Sequence, residues 1–128
     1  MMKFKIEIEI FEGNGGELHR EGDDIVTPDF AQEGICPWMY FGDGEKSYQQ
    51  GQRFSFPEEV GILCPELQDS MHGMLRTLQY GGTLFWTYEG TPYEKENDLE
   101  GVTTEYIRCP DPTAAGIVVK LIRTRLPD

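Results

Sequence analysis

Each of the three cysteines of this 128-residue chain stands directly before a proline, as Cys36-Pro37, Cys64-Pro65 and Cys109-Pro110. With eight prolines in the chain, the odds of this arrangement by chance are on the order of one in a few thousand. A residue before proline is restricted to extended backbone, and the amide that follows it has no N–H. We therefore expect each cysteine to lie at the boundary of a helix or strand, where its side chain can point toward a shared site.

Three thiolates can bind zinc, with a fourth ligand from His, Asp or water. The local candidates for that ligand are His72, two turns beyond Cys64 on a predicted helix, and Asp111, two residues beyond Cys109. The usual short spacing of zinc-binding cysteine pairs is absent, and cysteine is often a small buried hydrophobe. Two interpretations of Cys36, Cys64 and Cys109 therefore stay open, a zinc site and a set of structural thiols. In both we expect no disulfide within the chain and at least two sulfurs close together near the helix start.

Cys64 is the best candidate for a reactive thiol, because a helix N-terminus lowers the pKa of a thiol and favours the nucleophilic thiolate. Against this role, Pro65 removes one donor N–H, and Glu66 and Asp69 add negative potential. No Cys-His pair with an orienting group is evident, and the chain has no HExxH, GxSxG or GxGxxG motif. The sequence therefore favours a protein that is not an enzyme, with a redox or nucleophilic enzyme using Cys64 as the alternative. Haem ligation by a Cys-Pro thiolate is a weaker alternative.

The elements that position these residues follow from the hydrophobic pattern. Alternation of apolar and charged residues over 3–10 predicts a strand with one buried face. Leu67, Met71, Leu75 and Leu78 recur at helical spacing, and Pro65 and Gly81-Gly82 bound a helix over about 65–80. Further strands are predicted at 52–56, 83–88, 102–108 and 117–126. The expected fold is a single α+β domain over 1–128, with a mostly antiparallel sheet of about five strands and one main helix on one face.

The sequence also predicts the structure of several regions outside these elements. Residues 12–34 read as an acidic loop with a short extended piece at Ile25-Val26, and residues 93–101 read as an exposed charged loop. Residues 35–50 read as a buried aromatic segment that ends in a tight turn.

The first and last strands are expected to be neighbours, with Glu7 and Glu9 facing Lys120 and Arg123. A further set of aromatic residues is expected in the core rather than in a ligand pocket: Trp38, Tyr40, Phe41, Phe85, Trp86 and Tyr88.

The net charge of the chain argues against two classes of binding partner. Eleven Lys and Arg against 23 Asp and Glu give a net charge of −12, which opposes binding to nucleic acid and to anionic membranes. The N-terminus has charges at alternate positions and no apolar run of signal-peptide length, and no run is long enough to span a membrane. We therefore expect a cytoplasmic protein with reduced thiols. A second copy of the chain or a basic protein is the expected partner class, and a small-molecule ligand is not identified.

From residue 34 onward a series of motifs follows in a fixed order. They are Gly34-Ile35-Cys36-Pro37, Gly51-Gln52-Arg53-Phe54, Leu63-Cys64-Pro65, Leu78-Gln79-Tyr80-Gly81-Gly82 with Phe85-Trp86, Arg108-Cys109-Pro110-Asp111, and a final Val-rich strand. In this order the chain resembles a small prokaryotic family of uncharacterised proteins of about 90 residues. The resemblance implies a small α+β domain with its cysteines at signature positions, and it implies no activity. The chain departs from the family in its longer loop at 12–34 and an insertion around 94–101.

The function that this sequence favours is a non-enzymatic binding module. Its three-cysteine cluster is either structural or binds a metal such as zinc. The alternatives are a thiol-dependent enzyme and a domain for protein interaction or self-association.

Overall fold

The computed structural model describes residues 2–113 and 116–127. Within these ranges the strands are β1 (Lys3–Glu12), β2 (His19–Glu21), β3 (Asp24–Val26), β4 (Arg53–Phe56), β5 (Val102–Arg108) and β6 (Val118–Leu126). The α-helices are α1 (Phe30–Glu33), α2 (Pro37–Phe41) and α3 (Pro65–Gln79), and one turn of 3-10 helix spans Val60–Ile62. The strands form an antiparallel four-stranded sheet in the order β4-β1-β6-β5 and a separate β2-β3 hairpin. With α3 packed on the large sheet, the fold is α+β, as predicted.

The core lies between α3 and one face of the large sheet. Alternate residues of β1 point into it, so that Ile6, Ile8 and Ile10 are buried. Ile8 lies opposite Leu121 and Ile10 opposite Val119, and the apolar side chains of the two central strands therefore form one surface. This confirms that the first and last strands are neighbours.

The main helix has the predicted bounds and the predicted buried face. Cys64 precedes the first turn and Pro65 takes the first helical position, where a missing N–H costs nothing. The four residues of the predicted stripe, Leu67, Met71, Leu75 and Leu78, are all buried. The helix ends at Gln79, and Gly81 follows with a φ of +87°, a conformation that glycine adopts without steric cost.

One predicted strand does not form. Residues 83–88 lie in a loop, and the large sheet has four strands rather than about five. The outer edge of β5 pairs instead with residues 96–98, since the amide of Thr104 donates to the carbonyl of Glu96. The β-branched and aromatic composition of 83–88 therefore predicted a strand, but the outer edge of β5 is already paired with another segment.

On the face of the sheet that points away from α3, the pairs of charged residues differ in part from those predicted. Glu9 lies opposite Lys120, as predicted, but Glu7 and Glu9 bind Arg53 of β4, at 3.6 and 2.9 Å. The prediction was wrong for Arg123, which lies opposite Ile6 and is buried on the side of α3. Its guanidinium donates to the carbonyls of Leu78 and Gly82, so that it holds the C-terminal end of α3 against the sheet.

The loop regions contain more structure than their composition indicated. The acidic segment 12–34 includes the β2-β3 hairpin and α1, and the extended piece at Ile25-Val26 is confirmed as part of β3. The aromatic segment 35–50 contains α2, and Gly42 follows this helix in a turn where the amide of Asp43 donates to the carbonyl of Lys46. The segment 93–101 is mainly exposed, but Lys95 is buried. No helix in the described ranges is long and apolar enough to cross a bilayer.

Candidate functional site

The three cysteines lie at the boundaries that their prolines predicted. Cys36 is the residue that precedes α2, Cys64 precedes α3, and Cys109 follows β5 directly. All three are free thiols, partly buried, and packed against the hydrophobic core. Proline therefore places each sulfur at the end of a regular element and on the edge of the core.

Burial controls the chemistry of two of these thiols. Removal from water raises the pKa of the Cys36 thiol above its ordinary value of 9.0, and the nearby amides of Trp38 and Met39 oppose that rise only in part. Neither amide makes a capping hydrogen bond of normal geometry to the sulfur. Burial also raises the pKa of Cys109, against the opposing amide of Asp111. At neutral pH both side chains are therefore thiols rather than thiolates.

The three thiols influence one another through their charges. A charge on Cys64 or on Cys109 would raise the pKa of Cys36, and a charge on Cys64 would raise that of Cys109. Within residues 2–113 and 116–127, however, no three His, Cys, Asp or Glu side chains form a group that could hold a metal ion. In the described part of the chain the three thiols therefore do not form a three-ligand metal group.

The two residues considered as a fourth ligand have other surroundings. His72 is exposed on α3, whereas all three cysteines are partly buried. The carboxylate of Asp111 accepts hydrogen bonds from the amide and hydroxyl of Thr113, at 2.8 Å each. Those hydrogen bonds lower the pKa of Asp111, and they hold its carboxylate in a local turn.

A second candidate site is the aromatic loop, which we define as residues 83–90. Its side chains project into solvent: Phe85 is 81% exposed, Trp86 45% and Tyr88 52%. The rings of Phe85 and Trp86 pack edge to face, and the indole N–H of Trp86 donates to the hydroxyl of Tyr88 at 2.9 Å. The expectation of a core position was therefore wrong for these three residues. It holds for Tyr40, which is buried, and in part for Trp38, whereas Phe41 is exposed.

Buried charges anchor the aromatic loop. The carboxylate of Glu105, on the core side of β5, accepts hydrogen bonds from the hydroxyl of Thr83 and the amide of Leu84. Its other oxygen binds the ammonium of Lys95 at 2.9 Å, and both charged side chains are only 3% exposed. The ammonium also lies 5.1 Å from the centre of the Tyr88 ring. The start of the loop that carries the exposed aromatic side chains is thus hydrogen-bonded to the sheet.

Tyr88 has a backbone conformation that residues other than glycine rarely adopt. Its φ is +53°, in the left-handed region that favours glycine. Such residues concentrate at binding and catalytic sites, where the surrounding contacts offset a cost of about 1–3 kcal/mol. The contacts here are the Lys95 ammonium below the ring and the Trp86 indole at the hydroxyl.

A third feature is an open cavity of about 290 Å³ beside the aromatic loop. We call it the tyrosine pocket and define it by its lining residues: Tyr88, Thr91, Tyr93, Tyr106, Arg108 and Val118. It lies on the face of the sheet that points away from α3. Among these residues, only Tyr88 belongs to the aromatic set considered from the sequence, because Tyr106 and Arg108 reach the pocket from β5 and Tyr93 reaches it from the segment after the aromatic loop. The alternation of Tyr106 and Arg108 along β5 was the one local signal that could have placed two of them on one face.

Comparison of the chain with protein-family models, curated proteins and solved structures finds no match.

Proposed function

We propose that this protein is a non-enzymatic binding module that docks a basic segment of a partner protein on its aromatic loop. The observation that carries this proposal is the exposure of Phe85, Trp86 and Tyr88 on a loop whose backbone is held by a buried ion pair. Exposed aromatic clusters with a polar rim are typical of interaction surfaces. Aromatic residues on a rigid support bind well, because little conformational entropy is lost when the partner docks.

The charge around the loop supports a basic partner. Between residues 80 and 101 the acidic side chains are all exposed: Glu89, Glu94, Glu96, Asp98 and Glu100. The one lysine of this segment, Lys95, is buried in its pair with Glu105. An arginine side chain can stack on an exposed aromatic face while its charge is balanced by a neighbouring carboxylate. A basic partner also approaches a chain of charge −12 favourably.

In this proposal the three cysteines are structural. Their partial burial against the core and the raised pKa values of Cys36 and Cys109 favour small hydrophobic side chains over reactive ones. A zinc site at Cys36, Cys64 and Cys109 and an enzyme using Cys64 stay as the alternatives. A second copy of the chain is the alternative occupant of the loop, and the repulsion between two chains of charge −12 opposes it.

The test measures binding of synthetic peptides by fluorescence anisotropy. A labelled peptide of alternating Arg and Leu is compared with the same peptide carrying Glu in place of Arg. We expect the Arg peptide to bind, and the double variant Phe85→Ser, Trp86→Ser to weaken that binding at least about tenfold, as loss of a central aromatic contact does. The control is Ile62→Ser, since Ile62 is 50% exposed outside the loop.

Equal binding of the two peptides would overturn the proposal, as would unchanged affinity in the double variant. Light scattering distinguishes the alternative occupant. A dimer that dissociates in the double variant would assign the loop to self-association instead.

A further inference from the structure

The tyrosine pocket has preformed aromatic walls. The rings of Tyr93 and Tyr106 pack nearly perpendicular, with centres 5.6 Å apart, and Phe11 packs against both at 5.9 and 4.9 Å. The hydroxyl of Tyr93 donates to Glu12 at 2.5 Å and accepts from Nη2 of Arg108 at 3.1 Å. Because its walls are held in this way, a ligand can enter without the cost of ordering them.

The size and lining of the pocket suit one small flat molecule. A volume of about 290 Å³ lies at the lower end of small-molecule sites. Three tyrosine rings and Val118 supply apolar surface, and Thr91 and the tyrosine hydroxyls supply polar groups. This combination of mostly apolar walls and a few polar groups is typical of a ligand site.

The charges favour an anionic ligand. Among the described residues that line the pocket, Arg108 alone carries a charge. Its side chain is 62% exposed. A guanidinium has five N–H donors in a planar fork that matches a carboxylate. Its hydrogen bond to Tyr93 uses Nη2, and its ion pair with Glu12 is long, at 3.9 Å. Donors therefore remain for a ligand.

A cationic ligand would compete with cations of the chain itself. Arg108 lies 6.0 Å from the centre of the Tyr93 ring, Lys120 lies 6.0 Å from that of Tyr106, and Lys95 lies 5.1 Å from that of Tyr88. Three acidic groups act on this site. Glu12 lies near Arg108, and the charges of Glu9 and Glu96 act on Tyr106. Glu9 is paired with Arg53. Each tyrosine of the pocket thus already has a cation against its ring.

We infer that the tyrosine pocket binds a small aromatic carboxylate, with its ring between Tyr88, Tyr93 and Tyr106 and its carboxylate on the guanidinium of Arg108. This inference does not depend on peptide docking at the aromatic loop, because the two sites take different ligands. They share Tyr88, whose hydroxyl accepts the indole N–H of Trp86. A ligand in the pocket therefore changes the environment of Trp86 and its fluorescence.

Calorimetry with four probes tests the ligand class. Benzoate and indole-3-acetate carry the proposed group, benzamide replaces the carboxylate by a neutral amide, and inorganic phosphate supplies an anion without a ring. We expect one of the two carboxylates to bind, benzamide to bind at least about tenfold more weakly than benzoate, and phosphate alone not to saturate the site. Equal affinity for benzamide and benzoate would overturn the inference, and so would the absence of binding by both carboxylates at millimolar concentration.

Two arginine variants test the site. Arg108→Gln is expected to weaken carboxylate binding by about 10- to 100-fold, the loss that follows removal of a charge-assisted hydrogen bond. Arg76→Gln is the matched control, because Arg76 is exposed on α3, on the other side of the sheet from the pocket. Unchanged binding in Arg108→Gln, or an equal loss in Arg76→Gln, would overturn the inference. Trp86→Phe should remove the fluorescence response, which assigns that response to Trp86.

Discussion

At the scale of single residues, the prolines and burial act together on the thiols. Pro37 and Pro65 each remove the amide nearest to the preceding sulfur, so that a helix start supplies fewer N–H donors than usual. Burial then raises the pKa of Cys36, and it does the same for Cys109 beyond β5. A thiol with a raised pKa is a poor nucleophile at neutral pH, because the thiolate is the reacting species.

This predicts slow thiol chemistry. At pH 7 we expect Cys36 and Cys109 to react with iodoacetamide more slowly than a free thiol of ordinary pKa, and their rates to keep rising with pH above 9. The sign follows from the raised pKa, since the thiolate fraction at any pH below it is smaller than for an ordinary cysteine. Mass spectrometry of peptides gives the rate at each cysteine, with the unfolded chain in urea as the control.

The same protein, purified without a histidine tag, is expected to contain zinc well below one equivalent by elemental analysis. Stoichiometric zinc that is lost when Cys36, Cys64 or Cys109 is changed to Ser would show that the thiols form a metal site. A fast thiol at Cys36 or Cys109 at pH 7 would contradict the role of burial.

At the scale of elements, the aromatic loop depends on β5. The carboxylate of Glu105, on the core side of that strand, accepts hydrogen bonds from Thr83 and Leu84 and pairs with Lys95, so that it joins the start of the loop and the segment beyond the loop to the sheet. A buried ion pair of this kind contributes little net stability compared with apolar residues, because both charges lose their hydration. Its effect here is to specify where the loop lies.

Removal of one residue of the Lys95–Glu105 ion pair should lower the stability of the fold. We expect Lys95→Met to lower the free energy of unfolding by about 3–5 kcal/mol, since it leaves the Glu105 carboxylate buried without a counter-charge. Urea denaturation measures the change. The matched control is Lys5→Met: Lys5 is 56% exposed and lies 3.8 Å from Glu7, and loss of such a surface pair costs about 1 kcal/mol or less.

A double variant completes this test. Lys95→Met combined with Glu105→Leu should recover part of the lost stability, because no isolated charge remains buried. A cost below about 1 kcal/mol for Lys95→Met alone would show that Glu105 is solvated or compensated in another way.

At the scale of the whole molecule, net charge opposes compactness. A charge of −12 on 128 residues produces self-repulsion that salt screens. We expect Tm to rise when NaCl is increased from about 10 to about 100 mM, because the Debye length falls from about 30 to about 10 Å. Differential scanning fluorimetry measures it.

The control for the salt response is Asp23→Asn, Asp24→Asn. Both residues are exposed in and before β3, and their replacement changes the net charge from −12 to −10. This variant should respond less to salt. A Tm that falls with added NaCl would show that attractive pairs, such as those of Arg53 with Glu7 and Glu9, outweigh the repulsion.

Patterns with a regular period were sufficient to predict much of this fold. The alternation in β1 and the helical stripe of α3 each have one apolar side, and burial of that side requires a particular backbone period whatever the partner is. The strand at 102–108 and the Cys-Pro boundaries followed from equally local rules, since strand composition and the restriction before proline act within a few residues.

The remaining features depend on contacts between residues that are far apart in the chain. Residues 83–88 have the composition of a strand, but residues 96–98 occupy the edge of β5 and Glu105 binds the loop backbone. Arg123 is buried because the end of α3 presents carbonyls to it, which no pattern around residue 123 indicates. The tyrosine pocket likewise joins Tyr88 and Tyr93 to Arg108. Local periodicity predicts which side of an element is apolar, whereas a buried charge or a pocket requires donors and walls that the folded chain alone brings together.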